Sequence, residues 1–187
     1  MPTTAAQMYH LLRRHALAED RKPLIVMTPK TRLYGVQESY SPLCELAQGE
    51  FHPLLAERDG FDPALVTSVV ITSGKLCYDL LSERSQRRVA ALPMLRVEQL
   101  YPFPSDALVD ELKRYPRLRE VVWAQEEAKN HGAWHGIRDA LEMALPPSAS
   151  LRYAGRPAAA PTATCDPAQH EAELHALVTS ALGSQSA

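Results

Sequence analysis

Hydrophobic positions along the chain switch repeatedly between helical spacing and short continuous runs. Met8, Leu11, Leu12 and His15 recur at helical spacing and predict an amphipathic helix over residues 5–17. Thr4-Ala5-Ala6-Gln7 precedes it as the T-x-x-Q of a capping box. After Pro23, the run Leu24-Ile25-Val26-Met27 predicts a strand covered on both faces. Ser41-Pro42 reads as a cap and a helix-first proline, opening a short helix that Gly49 stops. The phrase then recurs: strand Ser68–Thr72, tight turn Ser73-Gly74-Lys75, helix Leu76–Arg87, and strand Leu92–Val97 with Pro93 near its start. Ser105 caps a helix through Leu108, Leu112 and Tyr115, Glu120–Ala124 is a fourth strand, and Gly136–Leu145 another helix. Ser150–Tyr153 alternates as an edge strand, and Asp166-Pro167-Ala168-Gln169 opens a last helix through Leu182.

Helices alternating with buried strands predict an α/β three-layer sandwich with helices on both faces of a mainly parallel sheet. About five strands are expected, following Pro23, Thr67, Leu92 and Arg119 in parallel, with the strand near Leu151 antiparallel at the edge. Residues 1–187 read as a single domain without internal repeats. Within it, 156–165 is an extended Ala/Pro-rich surface segment and 166–183 the C-terminal helix.

Composition narrows the function classes. Of 187 residues 45% are hydrophobic and 22% charged, which suits a globular chain rather than a disordered one. Lys and Arg number 20 against 22 acids, so there is no basic footprint for nucleic acid or an anionic membrane. No apolar run approaches the roughly 20 residues of a membrane helix, and Met1–Ala5 lacks the features of a secretion signal, so an intracellular protein is expected. Cys44, Cys77 and Cys165 are odd in number and far apart; free thiols are expected, with neither a disulfide framework nor a zinc site.

Ligands of open α/β sheets bind beyond the carboxyl ends of the strands. That rule selects the loops Thr28–Arg32, Ser73–Lys75, Glu98–Pro104 and Gln125–Trp134. Lys30 and Lys75 are anion candidates, the latter at a helix start, although neither a Walker A loop nor a G-x-G-x-x-G is present. Glu126, Glu127 and His131 are polar enough for acid–base work, but adjacent side chains point apart. With Trp134 beside them, an interface to a partner domain is the preferred reading. His131 and His135 lack the H-E-x-x-H pattern, so no metal is expected.

Longer matches go further. Arg96-Val97-Glu98-Gln99-Leu100-Tyr101-Pro102-Phe103-Pro104, followed by Trp123-Ala124-Gln125-Glu126-Glu127, resembles the C-terminal domain of the transketolase and 2-oxoacid dehydrogenase superfamily. Four further stretches, His10–Arg14, Pro23–Lys30, Thr72–Lys75 and Leu151–Pro157, are similar to the thiamine-dependent decarboxylating component of 2-oxoglutarate dehydrogenase. The chain departs from that family's Gln-Glu-Glu-Pro-x-Asn-Gln-Gly-Ala-Trp at Ala128 and His131, and 35–40 is atypical.

The resemblance implies a transketolase C-terminal-like domain that completes a homodimer and is inactive alone. Thiamine diphosphate and magnesium would bind in preceding domains of the same enzyme, since no G-D-G…N motif accompanies Asp59-Gly60 here. It further implies a dihydrolipoyl succinyltransferase partner and a cytoplasmic or mitochondrial-matrix location. In relatives this domain carries an acetyl-CoA or nucleotide effector, for which Arg14, Lys30, Arg32, Lys75 and Arg96 are the candidates. The resemblance implies an arginine at the position of Tyr34, so its absence here implies weakened or lost effector binding. Tyr101, Glu126, Glu127, His131 and Trp134 form the candidate interface. Two other readings stand beside this one: an autonomous module binding an acyl-CoA or adenine nucleotide, and a small enzyme using Glu126, Glu127 and His131.

Overall fold

The computed structural model describes residues 1–20, 22–29, 39–57, 60–89 and 91–183. Helix α1 (Ala5–Leu17) is capped by Thr4, whose hydroxyl accepts from Gln7 N at 3.2 Å. Only that half of the capping box forms: the Gln7 amide instead donates to His52 O at 2.6 Å and accepts from His52 N at 3.2 Å. Helix α2 (Leu43–Ala47) has Pro42 at its cap, because the Ser41 hydroxyl is taken by Ala6 N at 3.0 Å. Strand β1 (Leu54–Ala56) and a 3-10 turn at Pro63–Leu65 lead into strand β2 (Ser68–Thr72) and helix α3 (Leu76–Gln86). Then come β3 (Met94–Val97), α4 (Ser105–Leu112), β4 (Glu120–Gln125), α5 (Trp134–Ala144), β5 (Ser150–Gly155) and α6 (Pro167–Leu182).

The strands form one five-stranded sheet in the order β1-β3-β2-β4-β5, with every neighbouring pair parallel except β1–β3. Two sequence expectations are corrected. Leu24–Met27 forms no strand, because the free edge of β3 is filled by β1, whose Leu54 and Ala56 pair with Val97 and Leu95. The antiparallel edge strand is therefore β1 and not the strand near Leu151. β5 runs parallel to β4, as the intervening helix α5 requires. Pro93 sits just outside β3, where it loses no ladder donor and its carbonyl accepts from Val70 N at 3.1 Å.

Alternation along the strands builds two cores. Val69, Ile71, Val121 and Trp123 face α4 and α5, while Val70, Met94, Val122 and Ala124 face α3 and α6. Edge strand β1 is short, and a side-chain fork reinforces it. Arg84 on α3 holds both Glu57 carboxylate oxygens, at 2.5 and 2.6 Å, and also donates to Leu92 O at 2.8 Å. Arg84→Ala is expected to cost about 1–2 kcal/mol, part of it the desolvated Glu57 left behind. Urea denaturation checks this, and an unchanged midpoint would contradict it.

Candidate functional site

The carboxyl ends of the strands carry the polar groups the sequence singled out. β4 ends in Gln125, which lies on the same face as Val121 and Trp123 and is 3% exposed. Its Oε1 accepts from Trp123 Nε1 at 3.1 Å and Trp134 N at 3.0 Å. Its Nε2 donates to Glu127 O and Ala128 O, both at 3.2 Å. A carboxamide has two donor hydrogens and two acceptor lone pairs, so this one is saturated and fixes the loop from both ends. Gly132 closes over it: a Cβ there would lie 2.1 Å from Gln125 Nε2. The departures from the family pattern fit this frame. Ala128 is fully buried, with its carbonyl accepting from Gln125, His131 N and Gly132 N. His131 Nε2 lies 2.7 Å from Ala159 O, and Asn130 exchanges two 3.0 Å hydrogen bonds with the same residue. These contacts pin the Ala/Pro-rich segment to the loop.

Strand register brings two predicted residues together. Thr72 pairs with Ala124, so the turn after β2 meets the loop after β4. Gly74 makes that turn at φ +67, and Lys75 caps α3. The Lys75 ammonium lies 2.6 Å from Glu126 Oε1 and 3.9 Å from Asp79. The anion candidate thus holds the acid–base candidate.

The other candidates are dispersed. Arg14 donates to Gln99 Oε1 at 2.6 Å and stacks 4.3 Å over the Phe51 ring. Arg96 donates to Thr3 Oγ1 at 3.2 Å. Lys30 and Arg32 lie outside the described residues, as does Tyr34. Lys75 lines a cavity of about 390 Å³ together with Thr28, Pro29 and Tyr78, so two of the selected loops share a wall. Arg14 and Arg96 line other cavities. Tyr101 is 92% exposed and Glu127 is exposed. Trp134 does not share that exposure: α5 begins two residues before Gly136, placing Trp134 in line with Ile137 and Leu141 in the core, 5.1 Å from the Tyr153 ring. Among the described residues no group of three His, Cys, Asp or Glu side chains could hold a metal, and no helix is long and apolar enough to cross a membrane.

One buried cluster was not anticipated. Glu98, 1% exposed, accepts from Thr3 N at 2.7 Å and from the Thr3 hydroxyl at 2.5 Å. The Tyr78 hydroxyl donates to Thr3 O. Burial raises the Glu98 carboxyl above its ordinary value, against the opposing effects of the Thr3 hydrogen bonds and Arg96. Burial likewise pushes Tyr78 up to about 12. The sequence signal was parity, since Glu98 follows Met94 and Arg96 at alternate positions.

Comparison with known proteins places this architecture. The family model described as "2-oxoglutarate dehydrogenase C-terminal" matches residues 40–182. The 2-oxoglutarate dehydrogenase E1 component of Cupriavidus necator is 41% identical over 180 residues, covering 96% of this chain and 19% of the relative. Those of Coxiella burnetii and Brucella ovis are 45% and 44% identical, covering 87% and 97% of this chain and 18% and 19% of theirs. The chain thus spans about a fifth of the length of these relatives. A solved structure titled "Split gene transketolase, inactive beta4 tetramer" aligns with TM-score 0.49 and 16% identity, over 71% of this chain and 44% of that one. With the family model covering most of its length and such relatives matching nearly all of it, the chain belongs to the 2-oxoglutarate dehydrogenase C-terminal family.

Proposed function

We propose that this chain serves as the C-terminal structural and regulatory part of a thiamine-dependent 2-oxoglutarate-decarboxylating component, and performs no chemistry alone. The observation that carries this reading is the occupation of the loop after β4. Glu126 is committed to Lys75, His131 to Ala159 O and Gln125 to the loop itself. Groups so engaged make a rigid platform at the sheet end rather than a free acid and base, which disfavours the stand-alone enzyme. In this reading thiamine diphosphate and magnesium sit in preceding domains. The assembled protein is a cytoplasmic homodimer that hands a succinyl group to a dihydrolipoyl succinyltransferase.

The shared cavity at Lys75 favours a second role, the binding of a phosphate-bearing effector such as acetyl-CoA or an adenine nucleotide. Thr28 and Pro29, which precede Lys30 and Arg32 in the sequence, line the same cavity. An anion there would compete with Glu126 for the Lys75 ammonium. Titration of acetyl-CoA and of AMP into the wild type and Lys75→Ala tests this role. Loss of one charge-assisted contact should weaken binding about tenfold. Binding should also weaken with salt, since screening acts over about 8–10 Å at physiological ionic strength. Equal affinity in both proteins would remove Lys75 from the site.

A further inference from the structure

We infer that Glu126 is a built-in competitor at Lys75, so that the chain's own carboxylate regulates how readily an anionic ligand is taken up there. This regulation rests on the proposed binding of a phosphate-bearing effector at Lys75. Its structural basis is the topology of the sheet. Strands β2 and β4 are parallel neighbours, and the chain leaves them in opposite directions. Helix α3 packs on one face on its way to β3, and α5 packs on the other on its way to β5. Loops that part in this way leave a crevice beyond the strand ends, the position at which open α/β sheets take their ligands. In this chain an ion pair spans it. Lys75, from the turn after β2, meets Glu126, from the loop after β4, at 2.6 Å.

Local charge decides what that contact does. Two carboxylates share one ammonium, Glu126 at 2.6 Å and Asp79 at 3.9 Å. The side chains of Lys75, Glu126 and Asp79 are 26%, 25% and 27% exposed, so water screens them only in part. Among the described residues, then, an anion arriving at Lys75 meets a net negative group and must draw the ammonium away from Glu126. Without the Glu126 carboxylate the ammonium is released to the cavity of about 390 Å³ that Lys75 lines. The exchange needs no refolding of the loop. Gln125 Nε2 holds Glu127 O and Ala128 O, both at 3.2 Å, and Gln125 Oε1 holds Trp134 N at 3.0 Å. The backbone around Glu126 is therefore fixed, and only side chains swing. Glu127, the next residue, is exposed and lies outside the pair, which makes it the control for charge alone.

The test is calorimetric titration of AMP into the 187-residue chain and its Glu126→Gln, Glu127→Gln and Lys75→Ala variants, with Glu126→Gln also combined with Lys75→Ala. Glu126→Gln should bind AMP about tenfold more tightly than the wild type, as removal of one close like charge allows. Glu127→Gln should stay within about twofold, as an exposed and unpaired carboxylate does. The gain should vanish in the Lys75→Ala background, because Glu126 then has no ammonium to hold. Binding by Glu126→Gln and none by the wild type would support the inference as well, since the contact would then close the site completely. Equal gains from Glu126→Gln and Glu127→Gln, or a gain that persists without Lys75, would overturn it, because the carboxylates would then act through net charge alone. If Lys75→Ala weakens binding and Glu126→Gln does not tighten it, the effector site stands and the competitor falls. If no protein in the series binds AMP, both fall.

Discussion

Gln125→Leu is expected to destabilise the fold by about 3–5 kcal/mol, the largest effect of any single polar substitution proposed here. Leucine keeps the volume but removes the Gln125 partner of Trp123 Nε1, Trp134 N and Glu127 O, while Ala128 O keeps only His131 N and Gly132 N. Each buried unpaired group costs about 1–3 kcal/mol; the sum is reduced because the loop can relax and admit water. Gln125→Glu should also fail. A carboxylate can accept from the two N–H groups but cannot donate to the two carbonyls. Glu127→Gln, one turn of the loop away and exposed, should stay within about 0.5 kcal/mol. Chemical denaturation of the three variants checks this, and a Gln125→Leu protein as stable as the Glu127→Gln control would contradict the anchoring role.

The second large effect lies at Glu98. Glu98→Ala should cost about 2–4 kcal/mol, since it strips the Thr3 amide and hydroxyl of a buried acceptor. Its pH dependence has a definite sign. Burial raises the native carboxyl above its unfolded value, so above the ordinary carboxylate range the native state binds more protons than the unfolded state does. Stability then falls as pH rises through the native value, and Glu98's contribution is fully present only below the unfolded value. Glu98→Gln should remove that decline while keeping an acceptor for Thr3 N. Glu120 acts in the opposite sense: its hydrogen bonds from Arg152 hold the carboxyl low, so its stabilisation is lost as pH falls below the ordinary carboxylate range. Denaturation midpoints between acid and neutral pH, for wild type and Glu98→Gln, separate the two. Parallel curves would contradict a raised Glu98.

Strands β2, β3 and β4 were legible because each is a short apolar run bounded by turn or capping residues. Leu24–Met27 shares that pattern and is no strand. An apolar run reports a need for cover but not what provides it, and a three-residue strand too short to stand out took the edge. Trp134 could have been read correctly from Trp134, Ile137 and Leu141, whose spacing marks one helix face; weighting the polar neighbours hid it. The Lys75–Glu126 pair could not be read at all, because it depends on β2 and β4 being neighbours in register. Gln125 and Glu98 were in view as loop residues, yet their inward parity at strand ends was the physical signal of their structural roles.

Under the proposed role, this chain supports an active site without containing one. The direct measurement is carbon dioxide release by the purified chain supplied with 2-oxoglutarate, thiamine diphosphate, magnesium and a redox dye. No release above the buffer rate is predicted, because Glu126 and His131 are held by the chain's own groups. Release that rises in proportion to the concentration of the chain would contradict the claim.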